Sequence, residues 1–314
     1  MKPILVSGLI NLEITLRVEG FPIDYTPVRY PFFGVNSSVS GVGYNVAKAL
    51  TTLGSPVRFL SLVGRDPAGR LVRDSLVRDG IASDRVLPEM EHTAHSVILY
   101  DADGRRQINV DLKDIQERAY PPALFREALA GCELAVLCNV NFSRPFLRQA
   151  REAGVRIATD VHTIADLEDE YNRDFMAAAD VLFMSDELLP CPPEEWLRLV
   201  MERYAPRVAV VGLGARGALL AVRDDGFVGR YPAVRTRPVV NTIGAGDALF
   251  SAFVHAYARS GDPYRALERA TVFASYKIGT AGAADGFLDA AGLEALHAEL
   301  GGRGSLPDRV DSSP

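Results

Sequence analysis

The chain has 314 residues, 48% of them hydrophobic and 24% charged, which describes a soluble globular protein long enough for one large α/β domain with an appendage. Its 34 basic residues against 40 acidic ones include no basic block, which argues against a nucleic-acid or anionic-membrane surface, so a small anionic ligand must be met by local positive groups or bare amides. Cys132, Cys138 and Cys191 lack metal-type spacing and read as reduced thiols. With no cleavage site after 1–10 and no run of about eighteen apolar residues, the chain is expected in the cytoplasm.

In chain order, short β-branched runs alternate with helical stretches, predicting a mostly parallel sheet with helices on both faces. The candidate core strands are 4–9, 57–63, 134–138, 155–159, 181–184 and 208–211. A helix is expected over 66–79, with Asp66 as its cap, Pro67 at its first position and Gly80 past its end. Two regions break this rhythm. The runs 14–18 with 28–33, and 96–100 with 107–112 joined by the turn 101–104, read as strands without crossover helices, a small sheet placed as a lid. The lid then takes 13–36 and 93–113, and the large domain takes 1–12, 37–92 and 114–300. A frayed tail is expected over 301–314. His92 and His95 have a metal-like spacing but no further ligand nearby, and a polar lid loop is the preferred reading.

Three glycine-bearing stretches carry the chemistry. Ser40-Gly41-Val42-Gly43-Tyr44-Asn45 opens a helix with Val46, Ala49, Leu50 and Leu53 on one face. Asn45 offers a donor and an acceptor for a ligand hydroxyl, or else is a buried capping residue. Gly212, Gly214 and Gly217 match the dinucleotide pattern G-x-G-x-x-G, but 218–222 is apolar and β-prone where that pattern needs a helix, so a nicotinamide site is rejected. The third stretch is Asn241-Thr242-Ile243-Gly244-Ala245-Gly246-Asp247, where an apolar β-type run at 239–240 leads through a tight turn into a helix with Leu249, Phe250, Phe253, Val254 and Tyr257 recurring at three- and four-residue spacing. Bare amides at 244–246 make an anion hole, and Asp247 beside it is either a base or a helix cap.

Thr242 to Asp247 resembles the signature of the ribokinase-like (PfkB) carbohydrate kinase family, and 40–45 is similar to that family's amino-terminal Gly-Gly-x-x-x-Asn signature, with Ser40 for the first Gly. Asn11-Leu12-Glu13 followed by Phe21-Pro22 matches its Asn-x-Asp and Phe-Pro at the same spacing, so the resemblance runs from about residue 4 to about residue 290. It implies a ribokinase-like three-layer α/β fold with a β-strand lid, and transfer of the ATP γ-phosphoryl group to a primary hydroxyl of a small sugar or a nucleoside. Asp247 would be the base, with the amides of Gly244, Ala245 and Gly246 holding the transferred charge. Asn11, Glu13, Gly41, Val42, Asn45 and Asn139 would hold the acceptor, and Ser185, Gly214, Gly217, Thr242 and Gly282 the ATP. A homodimer through the lid sheet follows from the same resemblance.

Several positions depart from the family pattern. Ser185-Asp186-Glu187-Leu188 stands where an Asn-x-x-Glu motif linked to Mg2+ is expected, leaving Glu187 or Asp186 either to act on magnesium through water or to be the solvated start of a helix. Asn241 replaces an Asp that helps hold a monovalent cation in many members, which counts against K+ activation. Asn139 stands where ribokinases carry a sugar-binding Glu, and Glu13 where an Asp is usual. Tyr25, Tyr30, Phe32, Phe33 and Tyr44 suit stacking on a nucleoside base, or lid packing, or a dimer contact. A binding or regulatory protein that has lost catalysis is disfavoured by the presence of Asp247.

Overall fold

Strand β1 (Ile4–Ser7) is apolar over its first three residues because both of its faces are covered. Ile4 and Val6 enter one hydrophobic cluster and Leu5 the other. In a computed structural model that describes residues 1–300 and the backbone of Asp308 and Arg309, thirteen further strands follow. They are β2 (Asn11–Arg17), β3 (Val35–Ser40), β4 (Val57–Gly64), β5 (Val86–Met90), β6 (His95–Tyr100), β7 (Arg106–Asp111) and β8 (Leu134–Leu137), then β9 (Arg156–Thr163), β10 (Val181–Ser185), β11 (Val208–Gly212), β12 (Ala218–Val222), β13 (Phe227–Tyr231) and β14 (Asp308–Arg309). The rest of the tail expected at 301–314 lies outside the described residues.

The large sheet runs β14-β13-β12-β11-β10-β9-β8-β1-β4-β5, parallel from β11 to β5 and antiparallel beyond. Helices Val42–Thr52, Ala245–Ser260 and Pro263–Lys277 cover one face, and Pro122–Leu129, Arg144–Glu152, Arg173–Ala178 and Pro193–Tyr204 the other. All six core strands read from the sequence are present. The helix Pro67–Arg78 starts as expected, with Asp66 accepting from the Gly69 amide at 2.9 Å. The apolar run after Gly217 is strand β12, hairpinned to β11, so no dinucleotide helix opens there.

The small sheet has the order β3-β2-β6-β7. Its second strand is not where the sequence placed it: residues 28–33 form a loop, and β3 begins at Val35 and carries the small sheet to Ser40, past the lid boundary drawn at residue 36. Pro27 and Pro31 lack the N–H a ladder needs, and Phe33 sits in the left-handed region at φ 56°. The apolar pair Val239 and Val240 likewise forms no strand; it is exposed, and Val240 N–H donates to the Ile278 carbonyl at 2.8 Å. No described helix is long and apolar enough to cross a membrane.

Candidate active site

In the large sheet β1 lies between β8 and β4, the place where strand order reverses and where α/β sheets open a crevice beyond the strands' carboxyl ends. The two glycine-bearing helix starts meet there. Gly41 precedes the helix Val42–Thr52, whose Asn45 is buried; Asn45 Oδ1 accepts from Ser40 Oγ at 3.3 Å and its Nδ2 donates to the Asp247 carboxylate at 2.7 Å. Residues 202 apart in the chain are thereby in direct contact.

Asp247 is the third residue of the helix Ala245–Ser260, whose cap Gly244 is left-handed at φ 73°. A Cβ on Gly244 would also lie 2.5 Å from the Ala283 carbonyl oxygen, so both backbone angle and close approach require glycine, whereas a Cβ on Gly246 would meet open space. The Ala245 amide is not bare as expected: its N–H closes a turn onto the Thr242 carbonyl at 3.2 Å. Burial pushes the Asp247 carboxyl above its ordinary range, opposed by His162 and by the Asn45 hydrogen bond.

The small sheet supplies a second wall. Asn11 and Glu13 alternate onto one face of β2 and are only 3% and 4% exposed. Asn11 Oδ1 and Glu13 Oε1 are both buried with no hydrogen-bond partner among the described residues. Burial raises the Glu13 pKa, Ser40 lowers it, and Asp247 acts on it from nearby. Two orphaned acceptors beside the Asp247 carboxyl form a place for hydroxyl donors.

Other expected residues sit less simply. Asn139 is half-buried at the end of β8, and its amide donates to Asn172 Oδ1 at 3.0 Å. Gly217 is required by packing, since a Cβ there would collide with the Tyr231 carbonyl, while Gly214 faces open space. Ser185 ends β10 with its hydroxyl accepting from the Glu187 amide at 3.3 Å, and Gly282 lies beside Asp285. Tyr44 belongs to the core, not to an aromatic lid; it is 1% exposed and donates to Asp79.

Glu187 does not stand free for a metal. Arg106 of β7 pairs with its carboxylate at 2.8 Å and reaches Thr242 Oγ1 at 3.3 Å, while Asp186 is paired with Arg216. Among the described residues, Asp160, His162 and Asp247 place ligand atoms within 4.8 Å of one another. A set containing an imidazole is not the all-oxygen shell magnesium prefers, so the side chains provide no dedicated magnesium cage.

Sequence reasoning missed Arg106, Asp160, His162 and Lys277. Lys277 had a signal: with Ala266, Ala270 and Phe273 it follows the four-three-four spacing of the buried stripe on the helix Pro263–Lys277. It is fully buried and donates to the Ile243 carbonyl.

The model of the pfkB family carbohydrate kinases matches residues 1–290. This chain belongs to the PfkB family of carbohydrate kinases. It is 29% identical over 262 residues to an acarbose 7(IV)-phosphotransferase of Actinoplanes sp., covering 83% of this chain and 86% of that one. It is 36% identical over 293 residues to a deoxyribokinase of Salmonella typhi, covering 88% and 92%. Among solved structures, the microbiome-derived acarbose kinase Mak1 superposes with a TM-score of 0.83 at 28% identity, over 94% of this chain and 98% of Mak1. This PfkB member is therefore a phosphotransferase with a sugar or nucleoside acceptor, built on the ribokinase-like fold.

Proposed function

We propose that this PfkB kinase transfers the γ-phosphoryl group of ATP to a primary hydroxyl of a sugar, with Asp247 taking the hydroxyl proton. The carrying observation is the 2.7 Å hydrogen bond between Asn45 and Asp247, which joins the acceptor-side helix to the phosphate-side helix. Asn11 and Glu13 accept hydrogen bonds from the sugar's other hydroxyls and fix the ring, so the reacting oxygen faces the base. As that oxygen bonds to the γ-phosphorus, the bond from phosphorus to the bridging oxygen breaks and ADP leaves. The amides at the start of the helix Ala245–Ser260 and its dipole hold the charge on the moving group. Magnesium enters with the ATP phosphates, and no step above depends on a side chain coordinating it.

A nucleoside acceptor has less support. Tyr44 is removed from the stacking set, and Tyr30, Phe32 and Phe33 are 75%, 84% and 102% exposed on the 28–33 loop.

The test is a panel of sugars and ribonucleosides with ATP and magnesium, read by ADP release and repeated with Asp247→Asn. The isostere keeps shape but cannot take the proton, so turnover should fall about 10²–10⁴-fold with folding intact. Turnover within about threefold of wild type refutes the assignment.

A further inference from the structure

Lys277 presents an ammonium with 0% exposure inside the large domain. Burying an ammonium costs several kcal/mol unless its charge and donors are met. Among the described residues its one hydrogen-bond acceptor is the Ile243 carbonyl, and the carboxylates of Asp247, Glu13 and Asp285 act on it through space. Its attachment point is inside the glycine turn. Asn241 braces the same turn from both sides: its Oδ1 accepts from Ile243 N–H at 3.0 Å and its Nδ2 donates to the Ala281 carbonyl at 2.7 Å.

A trans peptide is planar, so the Gly244 N–H points opposite to the Ile243 C=O. Holding that carbonyl inward on Lys277 fixes the Gly244 N–H outward. Were the peptide to turn over, a carbonyl oxygen would face the incoming phosphoryl group and repel it. We infer that the Lys277 ammonium is a resident cation that locks the 243–244 peptide in the orientation that presents its N–H to the transferred phosphoryl group. It acts as a positioning residue and touches neither substrate. A fixed cation on a turn carbonyl also leaves no task there for a mobile one, so turnover should be the same in potassium, sodium and tetramethylammonium salts.

This inference rests on the kinase reading of the site, and wild-type turnover on the acceptor panel tests that reading separately. The inference itself is tested with Lys277→Met and Lys277→Ala, measured for kcat, acceptor KM and thermal midpoint. Lys277→Met should keep or raise the midpoint, because an uncharged side chain of similar length replaces a buried charge. Its kcat should fall about 10²–10³-fold, the cost of losing one oriented amide, with acceptor KM moved little. Lys277→Ala should regain kcat in methylammonium chloride and not in tetramethylammonium chloride, whose cation is too large for the space. A kcat within about threefold of wild type in Lys277→Met overturns the inference. So does a loss of activity in both variants that matches their loss of folded protein and is not restored by methylammonium.

Discussion

Glu13 and Asp247 are carboxyls raised by the same cause, burial, yet their hydrogen bonding separates their roles. Asp247 holds Asn45, whereas Glu13 keeps one oxygen with no partner. Glutamate reaches about 1.5 Å further than aspartate, one carbon–carbon bond, so a ring held by Glu13 sits further from β2 than one held by the family's usual Asp. Free ribose is therefore expected to be a poor acceptor and a larger sugar a better one, with Glu13→Asp weakening the better one. Comparing kcat/KM for ribose with that of the best panel compound decides it, and ribose as the best acceptor removes the argument. The site's pH dependence has two limbs. Asp247 must be ionised to act, so turnover rises with pH above the ordinary carboxylate range. Burial pushes the Lys277 pKa down from 10.5 to about 8, with Asp247, Glu13 and Asp285 opposing and Arg237 assisting, so turnover falls as pH passes about 8. Stability moves the other way. The unfolded lysine still binds its proton between about 8 and 10.5 where the folded one does not, so this group adds ~3 kcal/mol as pH climbs through that window. Lys277→Met should abolish both the alkaline fall in turnover and the accompanying gain in urea midpoint.

At the scale of elements, the turn into the helix Ala245–Ser260 separates two glycines that look equivalent in sequence. Gly244→Ala forces a side chain into the left-handed region and against the Ala283 carbonyl, and should cost about 2 kcal/mol or more by urea denaturation. Gly246→Ala meets open space within the helix and should leave the midpoint unchanged or higher, while its methyl group, set among the first-turn amides, lowers turnover. Equal stability losses in the two variants would contradict this reading. The elements themselves were legible where one local pattern decides them. The six core strands are β-branched runs buried on both faces, and the helix Pro67–Arg78 announces its start with Asp66-Pro67. The run 28–33 misled because β-branched and aromatic side chains suit a ladder that Pro27 and Pro31 cannot complete. Within the site, Asn45 and Asp247 were each visible as motif members. Their contact, like those of Lys277 with Ile243 and Arg106 with Glu187, is made by tertiary folding between distant segments, which no local spacing encodes.

For the whole molecule, one face of the small sheet is left uncovered by the described residues. Asn11, Glu13 and Thr15 point toward the site, so Leu12, Ile14 and Leu16 point away from it, and their β6 partners include Val97, which is 39% exposed. Val35, opposite Leu16 on β3, is 56% exposed. A second copy of this sheet is the expected cover, making a homodimer. Light scattering should give twice the 34.1 kDa chain mass, and a particle of single-chain mass at all working concentrations counts against it.

Strand β2 is one residue thick, so in such a homodimer its two sides would face different molecules. A partner packed on Leu12, Ile14 and Leu16 and a sugar held by Asn11 and Glu13 bear on the same seven-residue backbone. Whatever pairing contributes to acceptor affinity, acceptor binding must return to pairing by the same factor, since linkage is reciprocal. Dilution should then weaken the hold on the sugar, and a saturating sugar should hold the pair together at concentrations where it would otherwise separate.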